Sequence, residues 1–315
     1  MISVSLAHSH AFTARDYRAS GFPITGRETR ATRGNHGRET HATLKPGKRG
    51  AVHGGMAKRQ ALKIISFNIR HGGGSRITRI QEAIASHAAD LVVLPEFRNN
   101  PTGATLRSWL TTAGNVHQAA GNTLAPAHNS VLVASRLPFE TIAFPELGSE
   151  ARRCVGVKLG ALRVLAFYFA VMEAKRPLFK FIQGLPKGML KTETLLIGDL
   201  NTGCRYWDEG RMDLSLVEEF GAVLGCGWTD VWRQRNPGIR EWSWVEPWGR
   251  HIGYRLDHAL VSPALLPRVS DVRYSHVERE TGVSDHSVLV LELAAASRPT
   301  EVVEARLKPD PALVS

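Results

Sequence analysis

Lys63-Ile64-Ile65-Ser66-Phe67-Asn68-Ile69 is short, apolar and β-branched enough to be a buried strand. Gly72-Gly73-Gly74 ends it with a turn. Ile77, Ile80 and Ile84 then fall at i, i+3 and i+7, the spacing that lines one face of a helix. Asp90-Leu91-Val92-Val93-Leu94 reads as the next strand, closed by Pro95. Working outward, strands are expected at Ser130–Ala134, Val155–Leu159, Val164–Phe169, Leu195–Ile197, Leu256–Val261 and Ser287–Leu293, with helices near Leu178–Ile182 and Leu214–Phe220. Strands and helices interleave, so the class is α/β. Many short strands in one domain suit a two-layer sheet sandwich with helices outside.

The 315 residues, 43% hydrophobic and 22% charged, sit in the globular range and allow one large domain or two small ones. The longest apolar stretch, Val164 to Met172, is strand-like in length, and no run of eighteen apolar residues exists, so no membrane partner is expected. Cys154, Cys204 and Cys226 are an odd set without C-x-x-C spacing. They read as unpaired thiols in a reducing compartment, which makes the cytoplasm the expected location. The net charge of +11 suggests nucleic acid until it is divided along the chain. Residues 1–60 hold eleven Lys and Arg against three Asp and Glu, so they carry +8 of it. This segment lacks sustained periodicity and is expected to be a disordered basic leader. Met56 stands just ahead of the first strand, so translation is expected to start there, with the leader an artefact of gene annotation. The domain reading is therefore 1–60 leader, 61–296 catalytic domain and 297–315 flexible tail, working as a monomer.

Most of the candidate functional residues stand at a strand end, where a rigid element holds a side chain at the mouth of the fold. Asn68 follows the first strand, Glu96 follows Leu94-Pro95, and Asp199 and Asn201 lie in Gly198-Asp199-Leu200-Asn201. Asp257 lies in Tyr254-Arg255-Leu256-Asp257-His258, and Ser284-Asp285-His286 precedes the last strand. Each alone also fits a turn former or a helix cap. Together they suit one task. Mg²⁺ takes a few hard oxygen ligands and keeps several waters, so Glu96 with Asn68 and Asp285 is a sufficient set for one ion, with Mn²⁺ able to substitute. Phosphodiester hydrolysis then needs a positioned, deprotonated water and stabilisation of the added charge. Asp199 suits the water; Asn201 and a protonated His286 suit the phosphate oxygens. Asp257 would raise the pKa of His286 and fix its ring.

These motifs, in this order, resemble the endonuclease/exonuclease/phosphatase superfamily over residues 62 to 294, and most closely its exonuclease III and abasic-site endonuclease branch. The resemblance implies a four-layered α/β sandwich, two packed mixed sheets flanked by helices, with a divalent metal. It matches the family's metal motifs to Asn68 and Glu96, its water-activating and phosphate-orienting pair to Asp199 and Asn201, and its Asp–His pair to Asp257 and His286. Tyr168-Phe169 resembles the Tyr-Phe-Pro of that branch, whose tyrosine contacts the scissile phosphate, although Ala170 stands where the family has proline. The segments from Tyr168 to Asp199 and from Asp199 to Asp257 are shorter than in the abasic-site enzymes, so abasic specificity is not implied.

Five of seven tryptophans lie between Trp228 and Trp248. In Trp242-Ser243-Trp244 both indoles would project from one face of a strand, either as core or as a stacking platform beside the phosphate. The family's Ser-Trp element matches Ser243-Trp244 and favours Trp244 as a substrate contact. Arg152-Arg153, ahead of a strand, and the expected loops with Lys175-Arg176 and Arg233-x-Arg235 would contact a polyanion backbone or be solvated surface, with Arg153 as the candidate substrate contact. His71, His128 and His251 are read as structural or surface residues. The leading expectation is a Mg²⁺-dependent exonuclease III-like DNA hydrolase in repair or DNA turnover. Phosphoinositide, sphingomyelin or RNA as substrate, or a non-catalytic binding protein on the same fold, remain as alternatives.

Overall fold

The computed structural model describes residues 61–211, 213–246 and 252–295. The basic leader, the alternative start at Met56, the tail, Trp248 and His251 lie outside the described residues. The first sheet uses β1 (Leu62–Ser66), β2 (Leu91–Arg98), β3 (His117–Ala120) and β4 (Asn129–Ser135). The second uses β5 (Glu140–Ile142), β6 (Cys154–Leu159), β7 (Leu162–Tyr168), β8 (Thr194–Asp199) and β9 (Thr229–Asp230). A short ribbon follows, β10 (Trp244–Val245) with β11 (Gly253–Tyr254). Then β12 (Asp257–Val261) joins the second sheet, and β13 (Val269–Ser275) and β14 (Val288–Leu293) return to the first.

The two six-stranded sheets run β13-β14-β1-β2-β4-β3 and β5-β6-β7-β8-β12-β9. Position by position they have the same pairing. Each has one parallel pair at its centre, β1 with β2 and β7 with β8, and antiparallel neighbours elsewhere. A helix crosses over within each parallel pair: α1 (Ile77–His87) between β1 and β2, and α3 (Arg176–Gln183) between β7 and β8. A second helix follows each pair, α2 (Pro101–Thr112) after β2 and α4 (Val217–Gly225) after β8. The last helices, α5 (Val231–Arg235) and α6 (Val277–Glu280), are short. The architecture is thus a duplicated β-sheet unit.

Strand alternation makes the layers. Ile64, Val93, Val133, Val164, Ile197, Ala259 and Leu291 meet in one cluster between the sheets. Their sequence neighbours Ile65, Val92 and Leu132 turn outward onto Ile80, Ile84, Leu106 and Leu110 of α1 and α2. In the second sheet Leu165, Phe167 and Leu196 turn onto Leu178, Phe179, Phe220 and Val223 of α3 and α4. The result is the four-layered α/β sandwich, two mixed sheets between helices. Ile80 and Ile84 are buried as their spacing requires, whereas Ile77 is only partly so.

Several elements depart from the sequence reading. Arg233 and Arg235 lie on α5 rather than in a loop, because Asp230 caps that helix by accepting a 3.1 Å hydrogen bond from the Arg233 amide. The helix expected at Leu214–Phe220 starts later, at Val217. Trp242 is outside the ribbon strand that holds Trp244, so the two indoles do not share a strand face. No described helix is long and apolar enough to cross a membrane.

Candidate active site

In both sheets the parallel pair ends at the same edge of the sandwich, and the candidate residues gather there, in keeping with the tendency of sheet sites to lie beyond strand carboxyl ends. The β1–β2 ladder continues past Ser66 through Phe67 N to Val93 O at 2.9 Å and Ile69 N to Pro95 O at 3.2 Å, which carries Asn68 to the edge fully buried. Glu96 is the extra residue of a β-bulge: Pro95 faces Val131 and Phe97 faces Ser130, leaving Glu96 unpaired with φ of 59°. A bulge re-aims a side chain, here into the site. In the second sheet the edge is formed by Tyr168 and Asp199, paired in register as the last residues of β7 and β8. Gly198 makes this close approach possible, since a Cβ there would lie 2.0 Å from Phe167 O. Asp257 faces Asp199 across the antiparallel pair. It opens β12 rather than ending a strand, yet reaches the same edge because β12 runs the other way.

Asp199 joins the two halves. Its Oδ2 accepts from Asn68 Nδ2 at 2.9 Å, its Oδ1 accepts from the Asn201 amide at 2.9 Å, and His286 Nε2 stands 3.9 Å from Oδ2. His286 Nδ1 meets Asp257 Oδ2 at 2.8 Å. Burial opposes the charged imidazole, but Asp257 and the other nearby carboxylates outweigh it and lift His286 to about 10. Burial, aided by Asp257 and Glu96 and opposed by His286, pushes Asp199 up to about 7. Burial also drives the Tyr168 phenol to about 12, so it stays protonated at neutral pH.

Ser284 Oγ donates to Asn68 O at 2.6 Å and ties the Asp285-His286 segment to the end of β1. Ser243 Oγ accepts from the amides of Leu256 and Asp257 at 2.8 and 3.1 Å, while Ser243 O accepts from Ser287 N at 2.7 Å. The Ser243-Trp244 segment therefore threads between the two Asp motifs. Trp244 Nε1 donates to Asp285 Oδ2 at 3.2 Å, and Arg70 Nε lies 3.6 Å from the same oxygen. Arg153 sits over the Tyr168 ring at 5.3 Å and pairs with Glu150 at 3.0 Å. All ten sequence-named site residues thus stand at this edge or touch a residue that does.

Other residues here were missed or misread. His71, read as structural or surface, has its Nδ1 2.9 Å from Glu96 Oε2, and its amide donates to that oxygen at 2.7 Å. Lys175, read as a surface cation, is buried and donates to Asn201 O; burial pushes it down to about 8, against the pull of Asp199. Asn129 Nδ2 donates to Glu96 Oε2 at 2.9 Å and approaches Tyr168 OH at 3.3 Å. Four of the eight non-glycine residues with positive φ among those described lie in the segments that carry the site: Arg70, His71, Glu96 and Asn201. Backbone strain of this kind concentrates at functional sites.

Asn68, Glu96 and Asp285 offer the oxygen donors a hard cation takes, and Glu96 Oε1 has one long contact, 3.3 Å from Asn68 Nδ2, which leaves it open to a further ligand. The residues fit a divalent metal. A second acidic group, Asp208, Asp230 and His258, is close-set enough to suggest an ion. Arg255 already occupies it, donating to Asp208 at 2.7 and 2.8 Å and to Asp230 at 2.7 and 3.2 Å. A guanidinium in that place excludes a second cation.

An edge that sets a carboxylate-oriented imidazole and a near-neutral buried carboxylate against hard oxygen donors is suited to hydrolysing phosphoric esters, and the protein is a phosphoric-ester hydrolase. The chain belongs to the endonuclease/exonuclease/phosphatase family, whose model matches residues 65–286. No curated protein sequence matches it. Among solved structures, the chain is similar to the 3′ phosphatase NExo from Neisseria bound to a product DNA hairpin, at 23% identity and a TM-score of 0.64, covering 74% of this chain and 99% of that one. The 3′-5′ exonuclease NExo from Neisseria meningitidis gives 23% identity and 0.63 over 74% and 100%. An AP endonuclease from Archaeoglobus fulgidus gives 19% identity and 0.62 over 74% and 99%.

Proposed function

We propose that residues 61–296 form a Mg²⁺-dependent phosphodiesterase acting on DNA in the exonuclease III manner, in repair or DNA turnover, with Mn²⁺ as a substitute metal. The observation that carries this reading is Asp199, a buried carboxylate near neutral pKa held between Asn68 and His286 of the first-sheet side and Asn201 of its own strand-end turn. A general base works best with its pKa near the operating pH, so Asp199 takes the proton of the attacking water. Asn68, Glu96 and Asp285 would hold the divalent cation, which when bound polarises the phosphate and offsets its charge. His286, kept charged by Asp257, donates from Nε2 to a phosphate oxygen, and Asn201 lines the same pocket. Tyr168 donates a hydrogen bond from its phenol to the phosphate. Trp244 and Arg153 contact the flanking nucleotide and backbone.

The product DNA hairpin bound to the Neisseria 3′ phosphatase and the 3′-5′ exonuclease character of NExo support a nucleic-acid substrate. The site is complete within one chain, which suits a monomer. Free Cys154, Cys204 and Cys226 suit a reducing cytoplasm. The test is hydrolysis of abasic-site duplex, plain duplex, single-stranded DNA, RNA and phosphoinositide, each with and without EDTA. DNA cleavage that EDTA abolishes and Mg²⁺ or Mn²⁺ restores is expected. Cleavage that survives EDTA, or turnover of phosphoinositide alone, refutes the proposal.

A further inference from the structure

Asn129 stands at the first position of β4, and its side-chain oxygen, side-chain nitrogen and carbonyl are all engaged. Arg98 Nε donates to its Oδ1 at 2.7 Å and Arg152 Nη1 donates to its carbonyl at 3.0 Å. A guanidinium has donors only, so the oxygen of the Asn129 amide must face Arg98 and the NH₂ must face the site. From there Nδ2 donates to Glu96 Oε2 at 2.9 Å and lies 3.3 Å from Tyr168 OH.

Two consequences follow from hydrogen-bond accounting. Glu96 Oε2 accepts from Asn129 Nδ2 and the His71 amide at 2.7 Å, with the His71 ring 2.9 Å away, so that oxygen is engaged and Oε1, with one long contact to Asn68, is the one left for a metal. Tyr168 oxygen can only accept from an NH₂ group, so its own hydrogen is left for another acceptor. The duplicated sheets add an independent argument. Asn129 opens β4, the antiparallel neighbour of β2, as Asp257 opens β12, the antiparallel neighbour of β8. Asp257 orients His286 from that place.

We propose that Asn129 is the counterpart of Asp257 in the first sheet: a positioning residue that presents one oxygen of Glu96 to the metal and turns the Tyr168 proton toward the substrate phosphate. This rests on the hydrolytic reading above. Arg98 is the residue that keeps the amide from flipping.

The test is Asn129→Ala and Asn129→Asp, read by Mn²⁺ affinity from electron paramagnetic resonance, by kcat and KM on DNA, and by a double-mutant cycle with Tyr168→Phe. Loss of a hydrogen bond that orients a ligand weakens metal affinity by about 10-fold or more. Asn129→Ala should therefore raise the Mn²⁺ Kd by about that factor, and lower kcat less in the Tyr168→Phe background than in wild type. Asn129→Asp should lower kcat further, because a carboxylate repels Glu96 and captures the phenol proton. If Asn129→Ala fails to fold, Arg98→Met, which frees the amide to flip, should weaken Mn²⁺ binding in the same direction. Unchanged Mn²⁺ affinity in the folded variants, or strict additivity with Tyr168→Phe, overturns the proposal while leaving an active wild type. A wild-type protein that neither binds Mn²⁺ nor cleaves DNA overturns this and the functional reading together.

Discussion

Replacing Arg255 by methionine tests how the second sheet supports the site. Arg255 is fully buried and holds Asp208 and Asp230, themselves 0% and 5% exposed, through four hydrogen bonds. Burial alone would raise both carboxyls; Arg255 foremost, with His258, overcomes it and holds each below the usual carboxylate range. Removing one partner of a buried ion pair leaves the other charge uncompensated and costs about 3–5 kcal/mol. For a domain of this size that lowers Tm by roughly 6–20 °C, at about 2–4 °C per kcal/mol. The sign of the pH dependence is specific. In wild type the depressed carboxyls contribute stability that is full above the unfolded pKa of about 4 and fades as pH falls through the folded values. In Arg255→Met the same carboxyls rise relative to wild type, offset in part by Arg233 at Asp208 and His258 at Asp230, so the deficit is largest near neutral pH and narrows toward about pH 4. Urea titrations across that range measure it, and Asp230→Asn added to Arg255→Met should return part of the loss. A deficit below about 1 kcal/mol, or one flat with pH, refutes the reasoning.

Asp199→Asn should lower kcat by a factor of hundreds or more with KM nearly unchanged in steady-state DNA hydrolysis, and an equal loss of substrate affinity would make Asp199 a binding group instead. Glu96→Gln should weaken Mn²⁺ binding and regain part of its activity in excess Mn²⁺; a metal titration without any rescue counts against a ligand role. Tyr168→Phe keeps the ring that packs in the core between the sheets but loses the hydroxyl, so it should lower kcat at unchanged Tm. A matching drop in Tm would assign the tyrosine to packing.

The acidic motifs were legible because four carboxylates, Glu96, Asp199, Asp257 and Asp285, each set beside an apolar strand run, have little structural reason to recur along one chain. Asn129 was not legible, since a lone asparagine before a strand reads as a strand start and only the fold brings it to Glu96. Lys175 and Arg255 share that obscurity: their burial comes from segments distant in sequence. The α2 helix was overlooked because Pro101-Thr102-Gly103-Ala104-Thr105 has weak helix propensity; its signal is Asn100, whose side chain accepts from Gly103 N at 2.9 Å, with proline at the first position. The β13 strand alternates buried Val272 and Tyr274 with outward Asp271 and Arg273, a polar pattern easily taken for a loop.

The strand that completes the first sheet is the last among the described residues. Leu293 pairs with Leu62 and Leu289 with Ser66, and His286 precedes that strand by two residues. A ribosome making this protein releases Glu96, Asp199 and Asp257 well before it releases residues 285–293. Until then β1 lacks its antiparallel neighbour and Asp257 lacks its imidazole. Until those residues emerge, neither the Asp257–His286 contact nor the Ser284 tie to the end of β1 can form, so the site is assembled last.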